Sequence, residues 1–298
     1  MRIGAILDFL KEKNIEYTFN GNLNKDIKGF SSLRSYQTDT FTWIRDDETY
    51  FNHKKRIETA FVPYSFRGEI DNRIFCEDPK KTFFDVLRHF YKEESYEPKI
   101  GAHTYISDNV SIGNNVFIGS NCTIDGDIVI GDNTKISNGV TIIGRVKIGA
   151  YCNIKSGVTI GHGDLDYIVD EVTKERIMVE QYGGVKIGNN VWIGPNSVIN
   201  KGTLDDTRID DNAIIDGLCY ISHNVIIEDN VVVIAGTKMF GSSTVCKNSY
   251  VSTSVIRNQT SIGEGSMIGM GSIVIKDVPE FSLVYGNPAK FIKTIKIQ

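Results

Sequence analysis

Isoleucine recurs every six residues at positions 100, 106, 112, 118, 124, 130, 136, 142, 148, 154 and 160. The pattern resumes at Ile187, Ile193 and Ile199, slips by four residues to Ile209, and continues through Ile215, Ile221, Ile227, Val233, Met239, Val245 and Val251. A five-residue step then leads to Ile256, Ile262, Ile268 and Val274. An α-helix cannot use this period, because at about 100° per residue the side chains would spread over several faces. A short strand followed by a corner can. Two residues before most of these positions stands something small or β-branched, such as Val110, Val116, Cys122, Thr134, Val140, Cys152, Val158, Val191, Ser197, Ala213, Cys219 and Val225. Alternate strand residues share a face, so both positions point inward. Gly, Asn or Asp fills the corners, as in Ile112-Gly113-Asn114-Asn115, where left-handed backbone costs least. Three strand-and-corner units close one triangular coil of about eighteen residues. The expected fold is a mostly β, left-handed parallel β-helix over residues 98–275, with about eight or nine coils.

Residues 1–97 lack the period and read as a small α/β domain. Ile3, Ile6, Leu7 and Leu10 have helical spacing. Phe41-Thr42-Trp43-Ile44-Arg45 and Ala60-Phe61-Val62-Pro63-Tyr64 read as short strands. Asp78-Pro79 predicts a helix start, with Phe83, Val86, Leu87 and Phe90 as its apolar stripe. Cys122, Cys152 and Cys219 occupy the small inward position and are assigned to packing; no CxxC pair or Cys/His cluster is present, so no metal is predicted. Asp205, Asp206, Asp210 and Asp211 lack calcium-loop spacing and are expected at solvated corners. The 37 acidic and 33 basic residues are interspersed, which argues against nucleic-acid binding. The early Asp8 and Lys11 and the lack of an 18-residue apolar run predict a cytoplasmic protein with no membrane insertion.

Breaks in a repeat become loops on a rigid support, where chemistry concentrates. Three stand out: the long loop 161–184, the four-residue excess within Lys201–Thr207, and the tail 276–298 where the isoleucine period stops. His223 follows the inward Ile221 by two residues and is expected at a solvent-facing corner. Imidazole is suited to take the proton of an attacking amine near neutral pH. Asp216, seven residues earlier, is expected to orient the ring if coil stacking brings it near. His162 opens the long loop and is a second candidate.

The run Lys201-Gly202-Thr203-Leu204-Asp205-Asp206-Thr207 and the later Asp216-Gly217-Leu218-Cys219-Tyr220-Ile221-Ser222-His223-Asn224-Val225 resemble the UDP-3-O-acylglucosamine N-acyltransferases of lipid A synthesis. The long loop, the Gly184-Val185-Lys186-Ile187-Gly188 restart and Glu77-Asp78-Pro79 fit the same layout. The resemblance implies that His223 is the base, and that Trp43, Arg45 and Tyr50 contact the acceptor nucleotide; the long loop, with His162 and Tyr167, is expected to cover the acceptor. It also implies a homotrimer. Where that family carries a second histidine, this chain reads Arg257-Asn258-Gln259. Its ending, with Asp277-Val278-Pro279 and Tyr285-Gly286-Asn287-Pro288-Ala289-Lys290, resembles coenzyme A-dependent sugar acyltransferases instead. That implies acyl-CoA as co-substrate, no permanently bound cofactor, and donor contacts from Gln259, Gly271, Lys276, Lys290 and Lys293. The expected activity is N-acylation of a nucleotide-linked amino sugar, for example a 4-amino-4,6-dideoxy sugar. Two alternatives stand beside it: transfer from an acyl carrier protein in lipid A synthesis, and a non-catalytic β-helical scaffold.

Overall fold

The computed structural model describes residues 1–53, 56–91 and 97–296. They form two compact units, Met1–Ser95 and Tyr96–Gln298. In the first, five strands run in the order Thr18–Asn20, Asn72–Cys76, Thr59–Pro63, Thr40–Trp43, Gly29–Phe30. Only the Thr18–Asn20 edge is antiparallel. The helix Ile3–Glu12 buries Ile3, Ile6, Leu7 and Leu10, the residues its spacing marked. Asp78 caps the helix Pro79–Phe90 by accepting from the Lys81 amide at 2.9 Å, and Phe83 packs edge-on against Phe41 and Phe61. The cap satisfies one amide that the first turn would otherwise leave without a partner.

The second unit is a β-solenoid whose strands form three parallel sheets of nine, eight and eleven members; in the last, the final strand is added antiparallel. Each six-periodic residue pairs with its counterpart one coil away, so Ile124, Ile142, Ile160 and Ile199 lie in register in one continuous column. All four are fully buried. The stacked columns form one core from Val116 to Val284, whereas in the first coil Ile100 and Ile112, expected to point inward, are exposed. Corners follow the expected backbone: Asn115, Asn121, Asn133, Asn190, Asn196, Asn212, Asn224, Asn230 and Asn248 all have φ between +55° and +60°. Asn tolerates this region because its short amide bonds locally to the backbone. Cys122, Cys152 and Cys219 are buried inward, and burial pushes the Cys219 thiol up to about 11. Among the described residues, no helix is long and apolar enough to cross a membrane.

Two expectations need correction. The solenoid continues past residue 275: Val278 bridges in parallel to Ile262, and the strand Ser282–Tyr285 pairs in parallel with Met267–Ile268 before Lys290–Thr294 folds back on it. Val278 and Val284 belong to the same core, but Val278 follows Val274 by four residues rather than six, and that break hides both from a periodicity search. Asp206 is not a solvated corner. Its side chain is 7% exposed and pairs with Arg145 at 2.6 Å and Lys186 at 2.8 Å. Burial disfavours its charge, yet the Lys186 contact, the Gly184 amide and the Arg145 charge hold the carboxyl below the usual carboxylate range.

Candidate active site

The edge carrying His223 is assembled from successive coils and both insertions. The Lys201 amide donates to the His162 carbonyl at 2.9 Å, and the Ser242 amide donates to the His223 carbonyl at 2.9 Å. Between them Val198–Ile199 pairs with Tyr220–Ile221. His162 and His223 therefore lie on one edge with the coil of Lys201 between them, about 10 Å apart along the axis at one strand spacing per coil. The long loop leaves this edge at Gly161, projects the hairpin Tyr167–Val169 with Arg176–Met178, and returns at Gly184. Its return is stitched to the second insertion, where Tyr182 and Gly183 amides both donate to the Thr203 carbonyl.

That stitch brings Thr203 beside His223. The Thr203 hydroxyl stands 3.4 Å from His223 Nδ1, and Asn224 Oδ1 lies 3.0 Å from the same nitrogen. The Asn224 amide is oriented by its own partners: Oδ1 accepts from the Thr203 amide at 2.9 Å, and Nδ2 donates to the Asp205 carbonyl at 3.0 Å. Because Oδ1 can only accept, the Nδ1 contact requires a proton on Nδ1. Nε2 is then the nitrogen with the free lone pair. It points at Gly241, one coil further on, where an added Cβ would lie 2.3 Å from Nε2. The missing side chain is what gives the ring its place.

Asp164, from the start of the long loop, completes the corner. Its carboxylate accepts from the Tyr220 hydroxyl at 2.5 Å, the Ser222 hydroxyl, and the His223 amide at 3.3 Å. Its own amide donates to Gln181 Oε1 at 2.7 Å. Burial works against the charge, but the hydroxyls of Ser222 and Tyr220 outweigh it and hold the carboxyl below its ordinary range. Burial first, and then the Asp164 contact, push the Tyr220 phenol up to about 12.

Asp216 does not orient His223. It follows the strand Ile214–Ile215, on a different sheet from Tyr220–Ile221, accepts from the Gly217 amide at 2.7 Å, and lines a cavity with Asn190, Trp192 and Ile234. Seven residues is one more than a six-residue strand-and-corner unit, so the spacing puts Asp216 on the neighbouring face. Thr203 and Asn224 contact the ring instead, Gly241 leaves it room, and Asp164 accepts from the His223 backbone amide. Asn224 stood inside the motif without a role, and Asp164 stood between His162 and Tyr167; only the loop's path distinguishes them.

The other expected residues are distributed. His162 and Tyr167 are exposed, and Arg176 lies over the Tyr167 ring. Gln259 is an exposed corner whose amide donates to the Gly241 carbonyl, which puts it two coils beyond His223 on the same edge. Gly271 is a corner with φ +75°, and Lys276, Lys290 and Lys293 are exposed, the last two on the returning C-terminal strand. In the first unit, Trp43 and Arg45 line a cavity of about 390 Å³ with Ser32, Leu33, Arg34 and Thr49. Tyr50 lines a separate one with His53, Arg67 and Glu69. The three candidates are neighbours in the chain, yet Tyr50, on the Asp46-capped helix Asp47–Phe51, lines a different cavity from Trp43 and Arg45.

Comparison with known proteins agrees with this architecture. Residues 97–126 and 127–162 match the family described as bacterial transferase hexapeptide (six repeats). The UDP-3-O-acylglucosamine N-acyltransferase of Methylorubrum extorquens (strain PA1) is 37% identical over 119 residues, which are 40% of this chain and 34% of that protein. The enzyme of the same name from Saccharophagus degradans is 57% identical over 49 residues, 16% of this chain and 14% of its own length. The matched segment thus spans about a third or less of the curated relatives' length. Among solved structures, the UDP-N-acetylglucosamine acyltransferase of Campylobacter jejuni superposes with a TM-score of 0.58 at 26% identity, covering 66% of this chain and 75% of that one. The Bacteroides fragilis enzyme of that name gives 0.60 at 27%, covering 66% and 74%.

Proposed function

We propose that this chain, a hexapeptide-repeat β-solenoid, is an N-acyltransferase that moves an acyl group from a thioester to the amine of a nucleotide-linked amino sugar. The observation that carries the reading is the contact of His223 Nδ1 with Asn224 Oδ1, an acceptor that calls for a proton on Nδ1 and leaves Nε2 of the neutral ring to accept one. The amine nitrogen attacks the thioester carbonyl, Nε2 takes the amine proton, and as the tetrahedral intermediate collapses the imidazolium passes that proton to the departing sulfur, so that amide and thiol form and neutral His223 is restored. Bare backbone at Gly241 adjoins Nε2, so its amide is the group proposed to meet the developing oxyanion. Trp43 and Arg45 are proposed to contact the acceptor nucleotide by stacking and charge.

Coenzyme A is the proposed carrier, with Lys276, Lys290 and Lys293 exposed for its phosphates. A second reading, transfer from an acyl carrier protein onto UDP-3-O-acylglucosamine, is supported by the activity named for the relatives. Both are tested by one matrix. Acyl-CoAs and acyl carrier protein thioesters are paired with UDP-3-O-acylglucosamine and with UDP- and dTDP-4-amino-4,6-dideoxy sugars, and thiol release and product mass are followed. Amine-dependent thiol release that vanishes in His223→Ala supports the acyltransferase reading, and the active donor selects the carrier. Failure of every pair removes that reading and leaves a scaffold.

A further inference from the structure

The long loop and the His223 corner meet at one carboxylate. Asp164 is 59 residues from His223 in sequence, yet it takes hydrogen bonds from Tyr220, Ser222 and the His223 backbone amide, three donors on one strand and its corner. The Leu165 amide also donates to it, at 2.8 Å. The second anchor is Gln181 at the far end of the loop, whose Oε1 accepts the Asp164 amide. The loop is closed on itself at the place where it grips the corner.

We propose that Asp164 is a positioning residue for His223, and that seating of the long loop is what sets the imidazole for reaction. The inference rests on the acyltransferase reading above. A carboxylate that fixes the amide of His223 fixes the origin of its side chain. The ring is then held from the other side by Thr203 and Asn224, so the side chain is constrained at both ends. Tyr220, itself steadied by the Asn200 amide at 3.2 Å, ties the same carboxylate to the strand. Losing the grip lets the corner relax, and a displacement on the order of 1 Å at a reacting group costs about a hundredfold in turnover.

The test compares Asp164→Asn, Ser222→Ala and His223→Ala with wild type in the full chain. Steady-state kinetics use the acceptor and donor pair found active above, and hydrogen–deuterium exchange follows residues 161–184 and 220–225. Asp164→Asn is expected to lower kcat about tenfold to a hundredfold with KM for both substrates within about threefold, and to speed exchange in both segments together. Ser222→Ala should shift both readouts in the same direction by less. A raised acceptor KM with unchanged kcat would make Asp164 a binding or merely structural residue and overturn the inference. Unchanged kcat alongside an inactive His223→Ala would also overturn it while leaving the acyltransferase reading intact. If wild type transfers nothing, that reading fails instead, and unchanged exchange at 220–225 in Asp164→Asn then overturns the positioning role on its own.

Discussion

Gly241→Ala should separate activity from stability. A Cβ at this position would stand 2.3 Å from His223 Nε2, 2.5 Å from Cε1 and 3.0 Å from Cδ2, all atoms of one ring. Ordinary contact begins near 3.4 Å, so the ring must retreat by about 1 Å, and it cannot do so while keeping its 3.0 Å contact to Asn224. A misplacement of this size costs about a hundredfold in turnover, or ~2.7 kcal/mol of transition-state stabilisation. The backbone itself is indifferent, because Gly241 is not among the glycines with positive φ. Alanine there restricts the unfolded chain and contributes about 0.4–1 kcal/mol in favour of folding, offset by the displaced contacts. The expected outcome is kcat down about a hundredfold with a melting temperature within a few degrees of wild type. Steady-state kinetics and thermal unfolding on the same preparation check it. A kcat within twofold of wild type would refute the placement of Nε2 against Gly241, and a collapse of both quantities would show that the position serves folding.

Further outcomes follow from the same geometry. His223→Ala should lower kcat by about a hundredfold to ten-thousandfold with a smaller effect on acceptor KM, measured by thiol release. Asp206→Ala leaves Arg145 and Lys186 without their shared carboxylate and should destabilise by about 1.5–3 kcal/mol in urea unfolding. The Asp206 carboxyl is held below its unfolded value in the folded chain, so its contribution is fully present above the unfolded pKa. It is lost as pH falls through the folded one, and the stability gap between wild type and Asp206→Ala should therefore narrow on acidification below about pH 4. Ile215→Ala, in the middle of a fully buried column, should cost about 2–5 kcal/mol by leaving a cavity between two coils. Trp43→Ala should raise acceptor KM by about threefold to tenfold with little change in kcat, since stacking contributes about 0.5–1.5 kcal/mol.

The solenoid was legible in the sequence because its rules are local and repeated. A residue every six positions that must face inward, and a corner that must turn with positive φ, leave their mark wherever they act, as Ile124, Ile142, Asn133 and Asn196 do. The helix cap at Asp78 was readable for the same reason, since it depends on neighbours three residues away. His223 could be placed at a corner by counting from Ile221. Its surroundings could not. The contacts that define the site join Asp164 to Ser222 and Thr203 to Asn224, and the ion pair beneath the second insertion joins Arg145 to Asp206, 61 residues apart. Spacing from one inward residue to the next says which face a side chain takes, and that is how Asp216 falls on a different face from His223. It says nothing of where an insertion travels before it rejoins the stack. Periodicity therefore determined the scaffold and the edge on which the histidine stands, whereas the return path of the loops decided which groups hold it, because those contacts form only when segments far apart in the chain close onto the same corner.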